Sequence, residues 1–373
     1  MTLKKRIFDE KRINTGRQTE VDFAKAVIIF LLAFIHCIIE CTPEENLTSG
    51  IPYLFDSVIG GPLAAPMFIF SMGVGMVYTK KGSPKDFAVR GIKLGLISYV
   101  LNICRFLIPY LIGYAVTGEH EKYIQPLVYK VLGCDVLQFA SISMLIMALV
   151  LYLKIPDIIL IIGSVLLSFL GTYLNGTDLG NNPLNIIFGY FIGTEDQAGN
   201  IISDFPILNW FIVLVSGYIF GKILMHVKNK NMFYILISPL CIAVTTAYFI
   251  FGIVNTRGMF GEGQNCYYHI RTDDVLITIT AVLGVFGLYH LAAKIMPEAV
   301  LKIIGEVSKA INSVYCIHWV IVVIVTNVVI YVIRGTQELS VPVTLILSFA
   351  ISIVSIAIAY YWRKFKYHKK RSR

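Results

Sequence analysis

The feature that most constrains this chain is a recurrence of long apolar runs with few charges inside them. A backbone crossing hydrocarbon must satisfy every N–H and C=O internally, so only helices or closed barrels can do it. The runs are continuous rather than alternating, and each approaches the roughly 20 residues that a membrane-crossing helix needs. Ten of them stand at 21–40, 58–78, 89–116, 135–153, 157–174, 205–225, 232–253, 275–295, 311–333 and 341–362. The expected fold is therefore all-α, a polytopic membrane helix bundle of about ten transmembrane helices. An even number of crossings returns both termini to one side. The expected outer loops 41–57 and 175–204 hold acids and no Lys or Arg, whereas loop 79–90 carries Lys80, Lys81 and Lys85. Lysine and arginine mark the inner side, so both ends are expected in the cytoplasm of a cell that places the chain in its plasma membrane.

Composition agrees. The 373 residues are 56% hydrophobic and 15% charged, against about 25% charged in soluble domains. The net charge of +9 sits in inner loops and in the basic tail 363–373. An inner leaflet explains such a tail, and no nucleic-acid partner is expected. The seven cysteines form no CxxC and no zinc spacing, so no metal is expected. Cys41 and Cys266 both fall on expected outer loops, which leaves a disulfide open. The first run has no cleavage site behind it and reads as an uncleaved signal anchor. We expect one domain over 1–373, opening with a cytoplasmic segment 1–20.

The first span carries a stripe of ionisable residues. Lys25 and His36 are separated by ten residues, almost three helical turns, so they share one face about 16 Å apart along the axis. Asp22 stands a turn before Lys25, and Glu40 a turn after His36. Snorkelling to the two surfaces accounts for Asp22 and Glu40. It accounts less well for His36, and ionisable residues within a span are functional candidates by default.

Other stretches add polar groups to the bundle. Span two holds Gly61, Ala64, Ala65, Ser71, Gly73 and Gly75, which allow close helix packing. Pro66 would kink that span and free backbone groups. Span three opens with Arg90 and Lys93 on one face at the inner boundary, where the positive-inside rule competes with an anion site. Arg105 lies deep in span three and needs a partner, for which Asp135 and Glu40 are the candidate acids. An amphipathic stretch 123–132 leads into span four, which begins Asp135-Val-Leu-Gln138. In span nine Asn312, Tyr315 and His318 recur three apart around one face, with Ser313 beside them. The outer segment 181–191 is apolar enough for a short interfacial helix, and 255–274 has the composition of a lid or of a plain loop. His120, His226, His269 and His290 have no such context and read as loop or interface residues.

Two of these motifs carry a family resemblance. Asp22-Phe-Ala-Lys25, followed by AVIIFLLAFI and His36, resembles the signature of the acyltransferase-3 family, in which an arginine, ten mostly apolar residues and a histidine open the chain. Lys25 departs from that arginine; charge is kept and the planar fork is lost. Ile304-Gly305, Ser308 and INSVYCIHW resemble the family's ending, and Phe70-Ser71-Met72-Gly73 is a looser match to its second span. The stretch around Gln138 is similar to the heparan-α-glucosaminide N-acetyltransferase group.

The resemblance implies a membrane acyltransferase, an O-acetyltransferase moving an acetyl group from cytoplasmic acyl-CoA, its co-substrate. The acceptor would be a hydroxyl or amine of an extracytoplasmic glycan. His36 would be the general base, with Asp22 and Lys25 orienting the donor. Arg90 and Lys93, where family members carry a basic pair, would meet the donor phosphates together with Lys25. Glu40, Arg105, Gln138, Ser313, Tyr315 and His318 would line the acceptor side. The bilayer, acyl-CoA and a sugar are the expected partners, and a homodimer is left open. The rival reading is a transporter of a saccharide, lipid-linked sugar or small anion, which ten spans and buried charges also suit. A non-catalytic regulatory subunit is the third. GxSxG, HExxH and phosphate-loop motifs are absent from the sequence.

Overall fold

The computed structural model describes residues 2–251 and 267–371, with the side chains of 44 and 367–371 left undescribed. Among the described residues the regular structure is helical, with three isolated bridges and no strand. Ten helices are long and apolar enough to cross a membrane. They are α1 (Thr19–Cys41), α2 (Gly50–Val77), α3 (Pro84–Thr117), α4 (His120–Tyr152), α5 (Asp157–Leu174), α6 (Ile207–Met225), α7 (Lys230–Ile250), α8 (Thr272–Ile295), α9 (Ile311–Arg334) and α10 (Val341–Lys366). Each expected run falls on one of them. The runs underestimated α2 and α3 at their starts, because helix continues into flanking residues that are less apolar. The amphipathic stretch before span four is helical: His120–Tyr123 and Leu127–Leu132 lead into the regular helix Val136–Tyr152. Asp135 caps that helix by accepting from the Val136 N–H at 2.5 Å, the usual N-cap economy. Segment 181–191 also forms the expected short helix, Asn182–Gly189, whose N-cap is Asn181.

The chain gathers into two compact units. The first comprises Met1–Val21, Ala65–Tyr99 and Leu132–Ala292. Here α2 and α6 approach closely. A Cβ on Gly217 would stand 2.0 Å from the Phe70 carbonyl oxygen, and one on Gly73 would stand 2.1 Å from that of Leu214. Glycine is what lets the two backbones touch, and in lipid such packing replaces the hydrophobic drive that association enjoys in water. Phe70, Phe220 and Phe286 close a ring cluster beside this seam, with centroids 5.4 to 5.7 Å apart. The N-terminal segment is tied down in the same unit. The Asp9 N–H donates to the His226 carbonyl at 2.8 Å, and the Lys228 N–H donates to that of Ile7 at 2.6 Å. Buried Glu20 pairs with Lys230 at 2.7 Å and accepts from the Tyr234 hydroxyl at 3.1 Å.

The same unit orders the segments expected to lie outside. Asn175 Nδ2 donates to the His269 carbonyl at 2.6 Å, and Trp210 Nε1 donates to that of Tyr268 at 2.7 Å. His269, which sequence reasoning left as a loop residue, is buried with its Nδ1 3.3 Å from Glu195. The proposed lid at 255–274 falls largely outside the described residues, as does Cys266 of the suggested disulfide. The remainder of that stretch, from Tyr267 on, is packed down through the bonds above.

The second unit comprises Asp22–Ala64, Val100–Val131 and Ala293–Arg373. Its cores are small: Ala33, Cys37, Val322 and Ile351 in one, and Phe106, Tyr110, Tyr123 and Val323 in the other. All the π-helical stretches among the described residues lie in this unit, at Leu54–Ala64, Ile103–Leu107 and Ile324–Ile330. Such widened turns concentrate at functional sites. The first of them ends at Ala64, two residues before Pro66, where the sequence suggested freed backbone groups.

Candidate active site

The second unit assembles the polar residues of α1, α3 and α9 around one imidazole. His36 is half-buried on α1. Its ring lies against Trp319 with centroids 3.9 Å apart and stacks on His318 at 5.5 Å, the planes 24° apart. Both partners come from the INSVYCIHW stretch, where helical spacing turns Tyr315 and His318 to one side. Tyr315 is buried and meets the His318 ring edge-on at 5.4 Å. His318 is buried too, with Nδ1 3.2 Å from the Val314 carbonyl. A carbonyl can only accept, so that nitrogen carries the proton in the neutral ring.

Arg105 completes the cluster from the π-helical turn of α3. It is 3% exposed. Its guanidinium carbon lies 4.5 Å from the Phe106 ring centroid and 4.8 Å from that of Trp319. Nε donates to Asn102 Oδ1 at 3.2 Å, and Asn102 in turn donates to the Val131 carbonyl at 2.8 Å. A cation in this setting gains from ring faces more than it would in water. Cation, indole and imidazole therefore succeed one another from Arg105 to His36.

Glu40, one turn beyond His36, accepts from Asn327 Nδ2 at 3.0 Å. Asn327 sits in the π-helical stretch of α9, and its carbonyl accepts from the Tyr123 hydroxyl at 2.8 Å. At the far end of α1 Asp22 accepts from the Ser308 hydroxyl at 2.7 Å. Lys25 is half-buried a turn further in. Ser313 stands in the first turn of α9, its backbone N–H donating to Ala310 at 2.9 Å. Of the residues singled out from the sequence, the structure thus gathers His36, Tyr315, His318 and Arg105, with Glu40 adjoining. Asp22 and Lys25 occupy the other end of the same helix.

Arg90, Lys93 and Gln138 belong to the first unit. Arg90 donates to Thr79 Oγ1 at 2.7 Å. Thr79 lines a cavity of about 230 Å³ together with Arg12, Tyr218, Lys222 and His226. Lys93 is exposed. Gln138 is buried, and neither its amide nitrogen nor its oxygen is hydrogen-bonded within the described residues.

Trp319 and Asn327 were missed in the sequence. Trp319 had a signal, a bulky ring directly after an intramembrane histidine and one helix face from a buried cation's needs. Asn327 had none, since its partner lies 287 positions away.

The family comparison decides the wider question. The sequence model described as an acyltransferase domain, that of acyltransferase-3, matches residues 18–362. The chain belongs to the acyltransferase-3 family. That match spans both units and every helix from α1 to α10, and it makes the protein a membrane acyltransferase. No curated protein matches the chain. Within this acyltransferase, the stretch that opens the match contains Asp22, Lys25 and His36, and the stretch near its end contains Tyr315, His318 and Trp319.

Proposed function

We propose that the protein moves an acetyl group from cytoplasmic acetyl-CoA to a hydroxyl or amine of an extracytoplasmic glycan, with His36 as general base. The observation that carries this reading is the packing of His36 against Trp319 and His318 beside buried Arg105. Imidazole is the side chain best suited to take and return a proton near neutrality. Rings fixed on its faces limit its rotation, and a base held in one orientation contributes most when the attacking group is also held. Glu40, fixed by Asn327, adds an acceptor for acceptor hydroxyls one turn further out. Tyr315 and Ser313 extend the polar lining under this reading.

In this reading the acceptor oxygen or nitrogen attacks the thioester carbonyl as His36 takes its proton. The C–S bond then breaks, and His36 returns the proton to the departing thiolate. Direct transfer conserves every atom without a further reactant. The donor's phosphates would meet Arg90 and Lys93, and Arg12, on the lining of the neighbouring cavity, supports a phosphate-bearing ligand there; Lys222 on the same lining is paired with Asp157 at 2.5 Å. Asp22 and Lys25 would orient the donor from the inner end of α1. Under this reading the protein sits in the plasma membrane with both termini cytoplasmic, an orientation that the loop charges support.

The test uses the purified full chain in lipid nanodiscs, with radiolabelled acetyl-CoA and the cell-envelope glycan of the producing cell. Label appearing in the glycan with wild type and not with His36→Ala supports the reading. Uptake of glycan or sugar into vesicles without label transfer would restore the transporter alternative.

A further inference from the structure

Trp319 carries the least explained polar atom of the active-site cluster. Its Nε1 is buried and meets no hydrogen-bond partner among the described residues. A buried indole N–H ordinarily finds an acceptor. The ring is nonetheless held firmly, with the His36 imidazole 3.9 Å from its centroid and the Arg105 guanidinium 4.8 Å from it. The other two tryptophans are placed differently: Trp210 donates to Tyr268 at 2.7 Å, and Trp362 is exposed. A fixed donor beside the candidate base, sheltered and unsatisfied, suits an oxygen that arrives with the substrate.

Building on the acyl-transfer reading above, we propose that Trp319 Nε1–H donates to the thioester carbonyl oxygen as it becomes an oxyanion. In that step the acceptor oxygen bonds to the carbonyl carbon while His36 takes its proton. The electron pair of the C=O bond moves onto the oxygen, and Trp319 donates to it. Collapse restores the C=O bond and breaks the C–S bond, and the thiolate leaves with the proton from His36. Arg105, over the same indole, adds positive charge near the developing anion. Donors aimed at such an oxygen act most strongly where water is excluded. The indole would thus be a catalytic residue and Arg105 a positioning residue acting through it.

The experiment follows thiol release from acetyl-CoA, with water as acyl acceptor, by the full chain in nanodiscs. Three proteins are compared: wild type, Trp319→Phe, and the chain with benzothienylalanine at 319, which keeps the bicyclic shape and has no N–H. The expected result is a fall in kcat of about 10²–10³-fold in both variants, with the KM for acetyl-CoA changed by no more than about twofold. A role in packing alone would leave the benzothienylalanine protein at wild-type kcat, and that outcome would overturn the proposal while leaving the acyl-transfer reading intact. A wild type that neither releases thiol here nor moves label to the glycan in the assay above would overturn both.

Discussion

Asn327 reaches Glu40 with its side-chain amide, 3.0 Å from donor nitrogen to carboxylate oxygen, and it does so from a widened turn of α9. The relationship joins the two helices that carry His36 and His318. Asn327 is buried and Glu40 half-buried, so this donor stands in for part of the water that an exposed carboxylate would hold. Removing one partner leaves the other's desolvation unrecovered, at about 1–3 kcal/mol. Asn327→Ala should therefore lower thermal stability in detergent by that order, and Asn327→Asp should lower it further by setting two carboxylates together. Unfolding followed by tryptophan fluorescence checks this; an unchanged midpoint in Asn327→Asp would count against it.

Arg105 is expected to matter through its plane as well as its charge. A lysine there keeps the charge and loses the flat face that lies over Phe106 and Trp319. Cation–π contacts are worth about 0.5–2 kcal/mol. Arg105→Lys should lower kcat/KM by about 2–30-fold, and Arg105→Leu by more. Full activity in Arg105→Leu would remove Arg105 from the site.

The seam between α2 and α6 gives a prediction free of any functional reading. Gly217→Ala places a methyl 2.0 Å from the Phe70 oxygen. Backbone cannot yield there cheaply, so a loss of about 1–3 kcal/mol or more is expected. Gly163 on α5 has nothing within 4 Å of the added carbon. Gly163→Ala should be neutral or stabilising by about 0.5–1 kcal/mol, since alanine is the better helix former. Thermal unfolding of the two variants side by side tests the contrast, and equal midpoints would contradict it.

Much of this was legible before the fold was known. Runs of apolar residues dictate membrane helices on length alone, so all ten were found, and the register of Asp22, Lys25, His36 and Glu40 followed from helical spacing. Tyr315 and His318 were legible for the same reason. Pairings across long sequence separations were not. Nothing in the spacing around Glu20 marks it as buried; it is, because Lys230, 210 positions away, folds against it. The π-helical turns that place Arg105 and Asn327 leave no mark in hydropathy. Ends of helices were misjudged at α2, α3 and α4, where amphipathic or glycine-rich residues continue the helix beyond the apolar core.

The basic residues of α3 give a prediction about donor affinity. Arg90→Ala and Lys93→Ala together should weaken acetyl-CoA binding, most for Arg90, which is bonded to a residue lining the cationic cavity. Stability should change little, as cations near the surface contribute little to a fold. Titration calorimetry reads the affinity. An unchanged dissociation constant in the double variant would move the donor's phosphates elsewhere, and desulfo or dephospho analogues of coenzyme A would then show where.

The central claim is that His36 moves the proton in acyl transfer. Acetyl transfer and acetyl-CoA affinity, measured on wild type, His36→Ala, Lys25→Ala and Lys25→Arg in one preparation, test it most directly. Loss of a general base costs about 10²–10⁴-fold in rate, roughly 3–5 kcal/mol of barrier. His36→Ala should show that loss in kcat with donor affinity kept. Lys25→Ala, about three turns away along α1, should lose donor affinity with a milder effect on kcat, and Lys25→Arg should retain both. Wild-type kcat in His36→Ala would contradict the claim.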